Sequence, residues 1–245
     1  MDYPYVLIGA PIRNRASQLH KYLESICQLD FPKRLISIYW IINDNRDSSL
    51  AILQKFQEHF GGINGLYRNI QIEEINLKSP PDARTSIRRQ VIYQNLAYLR
   101  NKILDQFLKS DNNYLFSIDS DVYVKLDCLK RLLELDKDIV SAEIFNDFNR
   151  GDLGNTCKYI SDPNHPQNNQ YIHYKLREMP NTYRVDLTGA CYLIKRKVIE
   201  ANIRYGNDPF GEDKPFCEMI RAKGFEMWAV KGLAMHDMQK LEGER

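Results

Sequence analysis

Two aspartates at the end of an apolar run are the strongest chemical signal in this sequence. The residues at 114, 115, 116 and 118 are Tyr, Leu, Phe and Ile, a pattern typical of a central strand in a parallel sheet covered on both faces. Asp119 and Asp121 follow, and two like charges so close repel unless a cation or a proton neutralises them. A divalent metal ion is the simplest neutraliser. The alternative is that Asp119 begins a turn and Asp121 caps a short helix.

A second acidic pair stands at the predicted start of a helix. Glu212 and Asp213 precede Pro215, a residue favoured in the first helical turn, and Gly224 is placed to close that helix. The amino terminus of a helix stabilises ionised carboxylates. Asp213 therefore either takes part in catalysis or caps the helix, and the local sequence favours a cap.

Strands and helices alternate along most of the chain, which predicts an α/β protein with a mainly parallel central sheet flanked by helices. The third strand alternates in polarity, so we expect it near an edge of the sheet. Ser17 is the predicted N-cap of the first helix. The predicted strands are 6–9, 38–42, 70–77, 114–118, 139–142, 185–194 and 227–230, and the predicted helices are 19–29, 50–60, 84–108, 126–135, one from 198, and one from about 215 to 224.

The alternation stops between residues 145 and 181, a span too long for an ordinary connection. Its tyrosines and histidines argue against plain disorder. We predict a substrate-facing region there, with an ordinary surface excursion as the alternative.

Composition excludes several classes of protein. The 245 residues are 43% hydrophobic, enough for one large domain, and the net charge of +2 indicates no nucleic-acid partner. We find neither a secretory signal nor the ~20 apolar residues of a membrane span, which predicts a cytoplasmic protein without an integral membrane segment. The five scattered cysteines are typical of reduced thiols rather than of a zinc site or a disulfide framework.

The order of these motifs resembles that of the GT-A glycosyltransferases, the nucleotide-diphosphosugar transferases, and particularly their family-two type. The stretch 30–40 is also similar to collagen galactosyltransferases and mannan polymerase subunits. A departure is the segment 43–46, Asn-Asp-Asn-Arg, where such families often carry Asp-Asp-Gly-Ser. The matching motifs are Pro11 to Arg15, Asn43-Asp44, Arg100-Asn101, Asp119-Ser120-Asp121, Thr188-Gly189-Ala190, Gly211-Glu212-Asp213 and His236.

The resemblance implies one Rossmann-like GT-A domain over residues 1–245. Its nucleotide-sugar-binding half is expected at 1–124, its acceptor-binding and catalytic half at 125–238, and a tail at 239–245.

The resemblance also implies a donor, a metal and an acceptor. The donor is a nucleoside-diphosphate sugar, with a UDP-sugar favoured over a GDP-sugar, and the acceptor is a carbohydrate or another hydroxyl compound. Mn²⁺ or Mg²⁺ suits the oxygen ligands, and a histidine favours Mn²⁺. Asp121 is expected to bind the metal directly, Asp119 to contact ribose or metal, and His236 to be the third protein ligand.

Further residues are implied to bind the nucleotide sugar. For Asp44 the alternative is a helix cap, for Arg13 simple solvation, and for Gly189 a sheet bulge. The full implied set is Pro11, Arg13, Asp44, Arg84, Asn101, Asp119, Ser120 and Gly189.

The resemblance makes Asp213 the general base and lets Glu212 orient the acceptor. Asp213 would take the proton of the attacking hydroxyl, and attack opposite the leaving diphosphate would invert the anomeric centre. One competing hypothesis is a sugar-nucleotide nucleotidyltransferase, which needs a glycine-rich loop after the first strand that residues 10–14 lack. Another is a catalytically silent carbohydrate-binding relative.

Overall fold

The computed structural model describes residues 3–63, 65–80, 86–144, 153–165 and 169–237. The strands are β1 (Val6–Ile12), β2 (Ile36–Asn43), β3 (Asn69–Ile75), β4 (Tyr114–Ile118), β5 (Val122–Val124), β6 (Ile139–Ala142), β7 (Leu153–Ile160), β8 (Gln170–Lys175), β9 (Thr182–Val185), β10 (Cys191–Lys195), β11 (Met227–Val230) and β12 (Ala234–His236). The helices are α1 (Leu19–Gln28), α2 (Ser49–Phe60), α3 (Ser86–Lys109), α4 (Cys128–Glu134), α5 (Arg196–Glu200) and α6 (Asp213–Ala222).

Eight strands form the central sheet in the order β3-β2-β1-β4-β10-β6-β11-β9. Adjacent strands from β3 to β4 are parallel, as are β6 and β11. The strand β10 runs antiparallel to both of its neighbours, and β9 runs antiparallel to β11 at one edge. The predicted α/β class with a mainly parallel sheet is confirmed, and β3 lies at an edge as its alternating polarity predicts.

Apolar side chains on both faces of the sheet explain why helices cover it on two sides. Every residue of β1, β2 and β6 is buried. One face packs with side chains from α1, α2 and α4, and the other with side chains from α3, α5 and α6. The continuous hydrophobic runs in the sequence therefore match strands that are buried on both faces.

Three local predictions need correction. Gln18 rather than Ser17 is the N-cap of α1. The predicted strand 185–194 is two strands, β9 and β10, because the chain turns between them and Ala190 adopts a positive φ of 66°. Asp121 caps no helix, since β5 follows it, although Asp119 does begin a turn in which its carbonyl accepts a bond from the Val122 amide (2.9 Å).

The irregular stretch also contains regular structure. Within its described part, β7 and β8 pair antiparallel as a separate two-stranded sheet. An isolated bridge between Cys157 in β7 and Leu187 links this hairpin to the segment between β9 and β10.

The carboxyl ends of β1, β2 and β4 share one edge of the sheet. Because β10 runs in the opposite direction, its beginning lies at that same edge, and the Asp119 amide donates to the Ala190 carbonyl at 2.7 Å. Open α/β sheets place their ligand crevice at this edge. None of the helices in the described segments is long and apolar enough to cross a membrane.

Gly9 in β1 is required for the close packing of α3 on the sheet. A Cβ at this position would lie 2.6 Å from Ile103 Cγ2. We expect Gly9→Ala to destabilise the fold by about 1–3 kcal/mol through overpacking, and Gly9→Val to destabilise it more. Urea unfolding measures both, and an unchanged midpoint for Gly9→Val would contradict this packing.

Candidate active site

A cleft of about 880 Å³ opens over this edge of the sheet. We call the lining residues that follow β1 and β4 one wall of the cleft, and those at the start of α6 and in the β7–β8 hairpin the other wall. The predicted site residues that line it are Pro11, Asp119, Ser120, Asp121, Gly189, Glu212 and Asp213.

Arg100 from α3 joins the two acidic pairs. Its side chain is only 5% exposed. Its Nη2 donates to Asp119 Oδ1 at 2.8 Å and to Oδ2 at 3.1 Å, and its Nε donates to Glu212 Oε1 at 3.0 Å. Glu212 is the N-cap residue of α6 but makes no capping bond with its side chain. The local expectation that Asp213 is the N-cap is therefore wrong, because Asp213 is the first residue of α6 and Glu212 holds the cap position, with its carboxylate bound to Arg100.

Tyr205 and Asn101 support the Arg100 guanidinium. The guanidinium carbon lies 5.7 Å from the centroid of the Tyr205 ring, which stacks on Phe216 at 4.0 Å. Asn101 Nδ2 donates to the Tyr205 carbonyl (3.0 Å), and the Tyr205 amide donates to Asn101 Oδ1 (2.9 Å). Asn101, predicted to bind the nucleotide sugar, thus braces the backbone beneath Arg100 in this structure.

Asp121 lies between the side chains of Arg15 and His236. Arg15 Nη2 donates to its Oδ2 at 3.1 Å, and His236 Nε2 lies 3.6 Å from its Oδ1. Burial opposes ionisation, but the imidazole and the guanidinium outweigh it and hold the pKa of Asp121 below its ordinary value. In return, the hydrogen bond to Asp121 raises the pKa of His236.

A small two-stranded sheet delivers His236 to this position. The strand β12 pairs antiparallel with β5 so that His236 faces Val122, and the Asp237 amide donates to the Asp121 carbonyl at 2.7 Å. The predicted proximity of the late histidine to Asp121 is therefore present in the fold.

Asp213 approaches the backbone of Gly189 closely. A Cβ on Gly189 would overlap the Asp213 carboxylate, and Asn155 Nδ2 holds the Gly189 carbonyl at 2.8 Å. Burial raises the pKa of Asp213 well above its ordinary value, with the neighbouring Glu212 and Asp119 charges adding to it. Its Oδ1 is buried and has no hydrogen-bond partner in the part of the chain that the structure describes. A carboxylate whose pKa is raised in this way is a stronger proton acceptor than an exposed aspartate.

Negative charge is in excess in the cleft. Five carboxylates line it, against three cationic side chains: those of Asp119, Asp121, Glu212, Asp213 and Glu218 against Arg15, Arg100 and Lys214. Burial raises the pKa of Asp119 although Arg100 opposes it. A bound cation would relieve this excess, so the electrostatics fit a divalent metal.

The predicted three-residue metal site is not assembled. Across the described ranges, no group of three or more His, Cys, Asp and Glu side chains is arranged to hold a metal ion. Both oxygens of Asp119 accept bonds from Arg100, which leaves Asp121 and His236 as the pair in contact. Magnesium commonly uses one or two carboxylates and completes its shell with substrate phosphates, and an imidazole suits manganese. The pair fits such an ion.

Other predicted nucleotide-binding residues lie outside the cleft lining. Arg13 Nη2 donates to the carbonyls of Pro80 (3.0 Å) and Ser79 (3.5 Å). Asp44 accepts from the amides of residues 77, 78 and 79, each at 3.0 Å, and these bonds lower its pKa although burial opposes them. Both side chains hold the segment after β3. Arg84 lies outside the described residues.

The hairpin adds an aromatic wall that the sequence analysis did not resolve. Tyr159 and Tyr171 are cross-strand partners with ring centroids 5.1 Å apart, and the Arg221 guanidinium stacks 4.5 Å from the Tyr159 ring. Arg221 Nη2 donates to the Tyr171 hydroxyl at 2.6 Å. Phe210 stands 85% exposed beside Asp213. The sequence feature that could have indicated this wall is the occurrence of tyrosines in both 153–160 and 170–175, among them the paired Tyr159 and Tyr171.

The family to which the chain belongs follows from sequence comparison. The Anp1 family model matches residues 2–171, more than half of the chain. The chain belongs to the Anp1 family. The matched part includes Arg15, Arg100, Asp119 and Asp121, while Asp213 and His236 lie beyond it.

Part of the chain is also similar to a curated glycosyltransferase. A glycosyltransferase 25 family member of Drosophila melanogaster is 26% identical over 154 residues, which are 60% of this Anp1-family chain and 24% of that protein. The chain thus spans about a quarter of the curated relative that it matches.

Solved structures share the fold. TarS of S. aureus in complex with UDP-GlcNAc superposes with a TM-score of 0.59 and 16% identity, over 98% of this chain and 60% of that one. The mannosyltransferase PcManGT of Pyrobaculum calidifontis, in complex with GDP-Man and Mn²⁺, gives 0.62 and 14%, over 98% and 58%. The predicted GT-A fold is confirmed.

The contact between Asp121 and His236 generates a prediction that needs no substrate. Because Asp121 raises the pKa of His236, we expect Asp121→Asn to shift the imidazole titration to lower pH, toward the ordinary value of about 6.5. NMR titration of the His236 ring measures this shift. Asp127→Asn, a change of an exposed carboxylate, should leave the titration in place, and equal curves for all three proteins would contradict the contact.

Proposed function

We propose that this Anp1-family chain transfers a sugar from a nucleoside-diphosphate sugar to an acceptor hydroxyl. The observation that carries the proposal is that Asp121, which is in contact with His236, and Asp213 line one cleft. Asp121 and His236 suit the diphosphate of a donor, and Asp213 can act as a base toward an acceptor. We place most of the donor side within 1–124, to which 125–238 adds Gly189 and His236, and the acceptor side within 125–238.

The donor side is built to meet concentrated negative charge. Asp121 and His236 would hold Mn²⁺ or Mg²⁺, and a divalent cation bound there supplies the positive charge that stabilises a departing diphosphate. Arg15 also faces this part of the cleft, where a guanidinium suits phosphate oxygens. Structural neighbours were solved with UDP-GlcNAc and with GDP-Man and Mn²⁺, which supports a UDP-sugar or a GDP-sugar for this chain.

Asp119, Ser120, Pro11 and Gly189 line the cleft where a nucleotide sugar would lie. Arg100 orients the Asp119 carboxylate. Each carboxylate oxygen has a second lone pair, which can accept a hydrogen bond from a ribose hydroxyl. The absence of a side chain at Gly189 leaves room for the Asp213 carboxylate.

The base acts from the start of α6. Asp213 takes the proton of the acceptor hydroxyl as that oxygen attacks the anomeric carbon, and Glu212 stays fixed on Arg100 beside it. Attack from the wall opposite the leaving diphosphate inverts the anomeric centre. The raised pKa of Asp213 increases its basicity for this step.

The acceptor lies against the hairpin and the loop before α6. Tyr159, Tyr171 and Phe210 present aromatic surface there, and Asn169, Gln170 and Lys214 present polar groups on the same wall. Apolar faces combined with amides suit a carbohydrate, whose ring has both apolar and hydroxyl surfaces.

Removing the Asp121 carboxylate tests the donor side. We expect Asp121→Ala to lose Mn²⁺-dependent binding of UDP or GDP, because the ion keeps only the imidazole as its protein ligand. Titration calorimetry with each nucleotide, with and without Mn²⁺, measures the loss. Asp136→Ala, which removes a 79% exposed carboxylate, is the matched control. Unchanged affinity in Asp121→Ala would refute the metal assignment.

Replacing Asp213 tests the base. Asp213→Asn should keep nucleotide binding and lower transfer by about 10² to 10⁴-fold, the usual contribution of a general base. In the wild type, transfer should fall as pH decreases through a pKa above the ~3.9 of an exposed aspartate, because the protonated carboxyl cannot accept a proton. Rates of diphosphate release across pH measure both effects. Asp105→Asn, on an exposed face of α3, is the control, and preserved turnover in Asp213→Asn excludes it as the base.

A further inference from the structure

Arg100 is the one group in the described cleft that contacts both acidic pairs. Its Nη2 reaches both oxygens of Asp119, and its Nε reaches Glu212 Oε1. Asp119 follows β4 on the donor wall, and Glu212 precedes the base on the acceptor wall. One guanidinium therefore spans the boundary between the two walls.

We propose that Arg100 is a positioning residue that couples donor binding to the base, by holding Asp119 and Glu212 in one fixed geometry. The inference rests on the proposed function. Because Glu212 and Asp213 are consecutive, the bond to Glu212 also fixes the backbone on which the base is mounted. A donor that contacts Asp119 thus acts on a group rigidly linked to the base.

The chemistry of arginine explains why this position needs it. A guanidinium presents donors along separate edges in a planar fork, whereas a lysine ammonium is a single point charge. Here Nη2 donates to Asp119 and Nε donates to Glu212. Nη1 is buried and lacks a hydrogen-bond partner among the residues that the structure describes, so the two carboxylates and the Tyr205 ring set the orientation of the group.

Double-mutant cycles distinguish coupling from a merely structural role. The proteins are the wild type, Arg100→Met, Asp119→Asn, Glu212→Gln, and the two pairs that contain Arg100→Met. Calorimetry with UDP and with GDP, each with Mn²⁺, gives Kd, and hydrolysis of UDP-GlcNAc or GDP-mannose gives kcat as diphosphate release. Melting temperatures report stability separately.

Arg100→Met should weaken nucleotide binding about tenfold, as for a lost charged hydrogen bond, and lower kcat about a hundredfold, as for a misplaced reacting group. In the Asp119→Asn background the effect on Kd should largely disappear. In the Glu212→Gln background the effect on kcat should largely disappear. Effects that add independently in both cycles would overturn the inference.

A control and a second variant keep the test decisive. Arg68→Met also removes an ion pair with two hydrogen bonds, to Asp111 at 2.6 and 2.7 Å, but near the opposite end of the sheet, so Kd and kcat should not change. If Arg100→Met does not fold, Arg100→Lys is measured instead, since it keeps the charge but reaches one carboxylate only. A weaker nucleotide affinity or a lower kcat in Arg100→Lys supports the coupling, and wild-type values of both Kd and kcat refute it.

The same measurements separate this inference from the proposed function. A wild-type protein that binds neither UDP nor GDP in the presence of Mn²⁺ removes the proposed function itself. A wild-type protein that binds and hydrolyses its donor, with additive cycles, removes only the role of Arg100.

Discussion

Five carboxylates line one cleft of this protein, and burial opposes the ionisation of three of them, Asp119, Asp121 and Asp213. Arg100 offsets part of that cost by binding Asp119 and Glu212 together, and Arg15 offsets another part at Asp121. The charge that remains in the cleft is negative, and burial together with the Glu212 and Asp119 charges raises the pKa of Asp213. The same imbalance therefore favours a cation at one wall and a proton acceptor at the other.

The sheet explains how residues distant in the chain come together. Parallel strands deliver their carboxyl ends to one edge, and the reversed direction of β10 brings Gly189 and Ala190 to that edge beside Asp119. The pairing of β5 with β12 then brings His236 to Asp121. Backbone hydrogen bonds between these strands bring the site residues together, so a change of a site side chain need not alter the strand pairing.

Much of this was predictable where a local pattern determines the outcome. The bounds of β4, β6 and β11 match the apolar runs, and the exposed third strand lies at an edge. The break between β9 and β10 was missed because Ala190 takes a positive φ that alanine seldom adopts. The contacts of Arg100 were missed because the sequence shows only that a charged residue within a largely apolar helix needs a partner. It does not show which residues of the folded chain are that partner. The hairpin was missed because its strands expose many residues and lack a clear period.

The most direct test is the melting temperature of the wild-type protein with UDP, GDP, dTDP and CMP, each with and without Mn²⁺. A nucleotide at a hundredfold excess over its Kd stabilises the folded state by about 2.7 kcal/mol, which corresponds to a shift of roughly 5–10 °C for a chain of this size. We predict such a shift for one nucleoside diphosphate, UDP or GDP, and only with Mn²⁺ present. No shift with any nucleotide would contradict a cleft whose excess negative charge serves to hold a cation and a diphosphate.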